Sequence, residues 1–193
     1  DLSSFDALQG GETLTLSGSG TLGAENVANG QAVTLGTLAL VDGTGLASNY
    51  SLNSASLNIT ERVLNSSGSK TYDANTNALA GAITLSNLVS GEALNHSGTA
   101  TISSANAGSY TITNLAGITI ADGSGGTASN YTLTGGTHNF TTNQRPLNAT
   151  LARQYDGTSN AAGSDLSSFD ALQGGETLTS VSYTHLTLPT NSN

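Results

Sequence analysis

The stretch DLSSFDALQGGETLT occupies Asp1 to Thr15 and returns, letter for letter, at Asp165 to Thr179. An identity of fifteen residues does not arise by chance. Part of the chain is duplicated, and the size of the duplicated unit limits what the chain can fold into. Arg62 to Ala78 (RVLNSSGSKTYDANTNA) and Arg145 to Ala161 (RPLNATLARQYDGTSNA) share Arg, Leu, Asn, Tyr, Asp, Asn and Ala at an offset of 83. Leu40 to Asn53 (LVDGTGLASNYSLN) answers Ile120 to Thr134 (IADGSGGTASNYTLT). The separation of 164 is therefore two units of about 82 residues. Residues 1–61 read as a unit without its opening strands, 62–144 as a complete unit, and 145–179 as the start of a third.

Within each unit apolar residues recur at every second position, mostly with Thr, Ser or Asn between. Leu14 and Leu16, Val33 and Leu35, Leu38 and Leu40, Tyr50 and Leu52, and Leu57 and Ile59 do so in the first. Ile83 and Leu85, Tyr110 and Ile112, Ile118 and Ile120, and Tyr131 and Leu133 do so in the second. Period two means strands with one buried and one wet face. The segments between them, such as SGSG, DGTG and DGSGG, supply the positive φ of tight turns. The expected class is all-β: tandem antiparallel β-sandwich modules of about 82 residues, immunoglobulin-like or β-grasp-like. A β-helix would show a period near 20, and none is present.

Composition narrows the partners. Four basic against 13 acidic residues give a net charge of −9, which repels phosphate backbones and anionic lipid, so no nucleic acid and no membrane insertion is expected. No Cys means no disulfide framework and no thiolate metal site. No apolar run approaches the ~20 residues of a membrane span. The chain has neither an initiator Met nor a signal peptide at Asp1, and so reads as a fragment.

The string RQYDGTSNA, followed by the GGETLTLSGSG…LASNYSLN pattern, resembles the YDG repeat of filamentous-haemagglutinin-type exoproteins. The matching positions are Tyr155-Asp156-Gly157, Gly11-Glu12-Thr13-Leu14, Asn26 to Thr34 and Gly45 to Leu52. The second unit departs from the pattern with Tyr72-Asp73-Ala74. The resemblance implies very large secreted or surface-anchored proteins of Gram-negative bacteria, exported through a partner outer-membrane transporter. Tandem modules there form a stalk that presents an adhesive tip. After Thr179 the repeat breaks, and SVSYTHLTLPTNSN (residues 180–193) resembles sequencing-adaptor read-through, a non-native tail.

Chemistry-bearing residues are few. His96 and His138 lie where the first copy has no His, and read as exposed strand or loop histidines; His185 falls in the tail. No nucleophile elbow, zinc-protease motif or phosphate loop occurs, so no catalytic residue and no cofactor is expected. Asp42, Asp73, Asp122 and Asp156 come one to a turn, which suits Asx turns better than a calcium cage of several carboxylates. The Tyr72-Asp73 and Tyr155-Asp156 pairs are expected to be structural, the Tyr burying its ring with its hydroxyl on a backbone carbonyl and the Asp tying the turn. Lys70 or Arg153 is expected to cover that ring. Arg153 in place of Lys70 also argues against a Lys–Asn isopeptide crosslink. Asn49-Tyr50 and Asn130-Tyr131 close their units as further structural motifs. Asn-x-Ser/Thr triplets at Asn49, Asn58, Asn65, Asn95, Asn130, Asn139 and Asn148 barely exceed what composition yields.

The expected function is a spacer or stalk whose partners are its own neighbouring modules. The alternative is that the modules bind host or bacterial surface glycans, though only 5% of residues are aromatic. Residues 62–144 are expected to fold alone. Residues 1–61 are expected to be marginal unless residues 145–164 dock onto them.

Overall fold

The computed structural model describes residues 8–179. The fold is all-β. Its strands are β1 Leu14–Ser17, β2 Thr21–Leu22, β3 Ala28–Thr34, β4 Ala39–Asp42, β5 Ser56–Ile59, β6 Arg62–Val63, β7 Asn65–Thr71 and β8 Asn77–Leu79. They continue as β9 Ile83–Ser86, β10 Asn95–Ile102, β11 Gly108–Asn114, β12 Ile118–Ala121, β13 Tyr131–Thr132, β14 His138–Asn143, β15 Ala149–Leu151 and β16 Leu166–Phe169.

Two compact units emerge, and they follow the sheets rather than the sequence repeat. The first takes the described residues up to Asn65 together with Leu85–Asn95 and Ile120–Thr137. It holds the pair β1-β4, the sheet β2-β3-β5 and the short pair β13-β6. Its buried apolar side chains are Leu14, Leu64 and Tyr131.

The second unit takes Ser66–Thr84, His96–Thr119 and the described residues from His138 onward. It centres on a sheet of order β12-β10-β11-β14-β7-β9, with β8 added on β10, and also carries the hairpin β15-β16. Most of the core lies here: Ala78, Ala80, Ile83, Ala100, Ile102, Ile112, Ile118 and Phe140 are buried. Burying an Ile or Phe side chain is worth roughly 1.5–3 kcal/mol. This unit is therefore the better stabilised of the two.

Pairing departs in two places from the expected antiparallel scheme. β14 runs parallel to β7 over six residues, from His138↔Ser66 to Asn143↔Thr71, and β13 runs parallel to β6. The second pair also explains why Tyr50–Leu52, expected as a strand, is not one. A strand exists only through its partner. Tyr131 has Arg62 alongside, whereas Tyr50 has no such neighbour among the described residues.

A close approach fixes one residue of β7. A Cβ on Gly68 would lie 2.2 Å from the Ala82 carbonyl oxygen and 2.8 Å from the Phe140 ring, so only glycine lets that ring settle against the strand.

Candidate functional site

The repeated positions build two structural devices. In the first, Asp42 Oδ1 accepts the Ala47 amide at 2.7 Å and Asp122 Oδ1 accepts the Ala128 amide at 2.7 Å. Each Asp thereby ties down a 3-10 turn, Ala47–Asn49 or Ala128–Asn130, and the next residue, Tyr50 or Tyr131, is aimed back across its unit. The Tyr131 hydroxyl donates to the Glu92 carboxylate and accepts the Val89 amide at 3.1 Å. Tyr50 does the same with Glu12 and the Gln9 amide, the latter at 3.2 Å. Burial, then the Glu92 carboxylate, raises the Tyr131 phenol above its ordinary pKa; for Tyr50 the bond to Glu12 is the leading cause.

Sequence alone marked Glu12 as part of the Gly11-Glu12-Thr13-Leu14 match but assigned none of these glutamates a role. Its available signal was position: Glu12, Glu92 and Glu176 follow a Gly at aligned sites and make up three of only five Glu in the chain. In the third copy Glu176 is taken by Tyr72, whose phenol is raised chiefly by that bond.

The second device is the Tyr-Asp turn. Lys70 Nζ lies 2.7 Å from Asp73 Oδ1 and donates to Asn75 O at 2.7 Å, Asn75 Oδ1 at 3.0 Å and Asn77 O at 2.9 Å. Arg153 repeats this with Asp156 at 3.3 Å and Thr158 O at 2.6 Å. The cation thus holds the turn. The tyrosines differ from expectation. Tyr72 is half-buried with its hydroxyl on a carboxylate rather than a carbonyl, and Tyr155 is 97% exposed.

Both aspartates act on their turns as expected. Asp73 Oδ1 accepts the Asn75 amide, and Asp156 Oδ1 accepts the Thr158 amide at 2.9 Å. Burial pushes the Asp73 carboxyl up, but the Lys70 ammonium and the Asn75 amide outweigh it, so the group sits below its usual range. The Thr158 amide and hydroxyl lower Asp156. The third residue of the triplet shows why glycine suits it: Gly157 has φ 75° and Ala74 has φ 60°, the left-handed region that disfavours a Cβ.

The histidines are half-buried, not exposed as expected, because they replace Leu16 and Leu57 of the first copy on inward-leaning strand positions. His96 Nε2 lies 3.0 Å from Ala80 O and 2.9 Å from Ile83 O, so that nitrogen carries the proton. His138 Nδ1 is 2.9 Å from Ser66 Oγ. His185 lies outside the described residues. Among the described residues no three His, Asp or Glu side chains converge as metal ligands.

Five of the seven triplet asparagines use their side chains internally. Asn58 accepts the Gly30 amide, Asn65 the Thr137 amide and Asn130 the Val27 amide. Asn95 donates to Asp122 O and Asn148 to Asp170. Asn49 and Asn139 make no such bond among the described residues.

Comparison with known families finds a YDG domain at residues 57–139. The match runs from β5 to the start of β14 and takes in the Lys70 turn, Glu92 and Tyr131. No curated protein and no solved structure matches the chain.

Proposed function

We propose that this YDG-bearing chain is a spacer: structural repeats of a large secreted or surface-anchored bacterial adhesin that hold a distal adhesive region away from the cell. In this reading the protein is not an enzyme, it belongs to the exterior of a Gram-negative cell, and it reaches that site through a partner outer-membrane transporter. The observation that supports it is the bond from one sequence repeat to the next. Asn130 Oδ1 accepts the Val27 amide at 2.9 Å, and Asn130 Nδ2 donates to Asn26 Oδ1 at 2.9 Å. A link from one repeat to its predecessor suits a chain of nearest-neighbour contacts.

The test is to insert further copies of residues 62–144 in series ahead of Arg145 and measure the maximum dimension by small-angle scattering. The expected result is a constant increment of at least about 20 Å per copy, the span of a six-residue strand. A maximum dimension that stays level, or reproducible binding of one glycan class on an array, would replace the spacer reading with a binding one.

A further inference from the structure

We propose that Asn29 is a site of spontaneous modification, losing its side-chain amide to attack by the Gly30 nitrogen, and that Asn58 is the latch that restrains it.

The chemistry begins with the dipeptide. Asn29-Gly30 is the one Asn-Gly pair in the chain. Glycine has no Cβ to crowd its own nitrogen or to restrict its backbone, so that nitrogen reaches the preceding Asn Cγ most readily. Nucleophile and carbonyl belong to one short segment, which makes the step intramolecular and fast when the geometry allows it. The Gly30 nitrogen gives its proton to solvent base and bonds to Asn29 Cγ. The Cγ–Nδ2 bond breaks and ammonia leaves. Water then opens the succinimide ring at either carbonyl, giving Asp or its β-linked isomer.

The strand pairing leaves room for that ring. β3 and β5 pair with Ala28 opposite Ile59 and Gln31 opposite Leu57, so Asn29 and Gly30 together face Asn58. Such an extra residue is a β-bulge and stands out of the ladder. Both residues of the bulge are exposed. Gly30 has φ 65°, and a Cβ built on it would meet nothing within 4 Å. The Asn29 side chain makes no hydrogen bond among the described residues, so its carboxamide can turn toward the nitrogen.

One contact opposes the reaction. Asn58 Oδ1 accepts the Gly30 N–H at 2.6 Å. That bond aims the N–H at β5 and pins the peptide plane, whereas attack requires the plane to rotate and present its nitrogen to Asn29 Cγ. Asn58 is thus a positioning residue. In the second unit β11 pairs with β14 without a shift from Gly108↔Thr142 to Thr111↔Asn139, and no Asn-Gly stands there. Asn139, aligned with Asn58, has no amide to hold. The latch occurs where the reactive dipeptide does.

Conversion reaches beyond the bulge. It adds a negative charge to a chain already at −9, and the β-linked product lengthens the main chain by a methylene. The lengthened strand disturbs the pairing of Ala28 with Ile59, next to Val27, whose amide Asn130 holds.

The experiment incubates the full chain at mildly alkaline pH, native and in urea, and follows every asparagine by peptide mapping with mass spectrometry. In urea Asn29 should convert first. In the native chain its conversion should be several-fold slower. Asn58→Ala, a change at an exposed side chain, should raise the native rate several-fold at Asn29 alone. Asn58→Asp keeps an acceptor oxygen and should restore the slow rate, and Asn29→Gln should remove the reaction at this position. A rise shared equally by the other asparagines would mean that Asn58 only stabilises the fold, and would overturn the latch. An Asn29 rate indifferent to Asn58→Ala, or conversion elsewhere ahead of Asn29 in that variant, would overturn the inference as well.

Discussion

Asn130 holds the Val27 amide from 103 residues away, its Oδ1 accepting that N–H at 2.9 Å. Asn49, at the aligned position, makes no side-chain hydrogen bond among the described residues. One repeated letter therefore does two different things, according to whether another repeat lies against it.

Asn130→Ala leaves a part-buried amide without its acceptor, which costs about 1 kcal/mol. Hydrogen exchange at Val27 should accelerate several-fold, with a matching fall in the melting temperature. Asn49→Ala should leave both unchanged. Equal effects from the two substitutions would show that Asn130 acts within its own turn and not on Val27.

Ala74→Gly should stabilise the chain. Ala74 has φ 60°, where a Cβ costs roughly 1–2 kcal/mol, and glycine gives back part of that in unfolded-state entropy. A net gain of about 1 kcal/mol is expected by urea denaturation. A loss would mean that the Ala74 methyl packs productively against Gly174, whose Cβ position it approaches to 2.9 Å.

Truncating the Phe140 side chain tests where the stability resides. Phe140→Ala removes a ring that is 1% exposed and should cost about 3–5 kcal/mol. Ile59→Ala, the same position one repeat earlier, acts on a half-buried side chain and should cost less than half as much. Denaturant midpoints measured side by side decide it.

Alkaline pH probes the tyrosines. Tyr131 is raised by burial and by Glu92, and Tyr50 and Tyr72 are raised by their bonds to Glu12 and Glu176. A phenol whose folded pKa exceeds its unfolded value near 10 contributes stability that is complete below that pH. The contribution is lost as pH rises through the folded value. Stability should thus fall steeply above about pH 10, and Tyr131→Phe should flatten that slope while lowering stability at neutral pH. Phenolate absorbance should show the wild-type chain retaining a late-titrating group that the variant lacks.

Alternation located the strands whose apolar residues face a core, such as Leu14–Ser17, Ile83–Ser86 and Ile118–Ala121. It was silent on Asn65–Thr71 and Asn95–Ile102, written NSSGSKT and NHSGTATI. Those strands bury Ser66, Ala100 and Ile102 amid Ser, Thr, Asn and Gly, so hydrophobic period carries little trace of them. The Asp turns were legible because an Asx bond is local. The Tyr131–Glu92 bond was not, since it joins residues 39 positions apart through a fold the sequence does not display. Parallel pairing was hidden for the same reason, as local pattern carries no strand direction.

That parallel pair has a consequence for a chain under tension. β7 opens the stretch from Asn65 to Asn143 and β14 closes it, and the two lie side by side, in register, over six residues. A pull on the chain at those two ends drags the strands in opposite directions along their own length. The inter-strand bonds are then loaded in shear and resist together, whereas in an antiparallel hairpin pulled at its open end they would break in succession. By this geometry the stretch from Asn65 to Asn143 should yield abruptly at high force and hold its length below it.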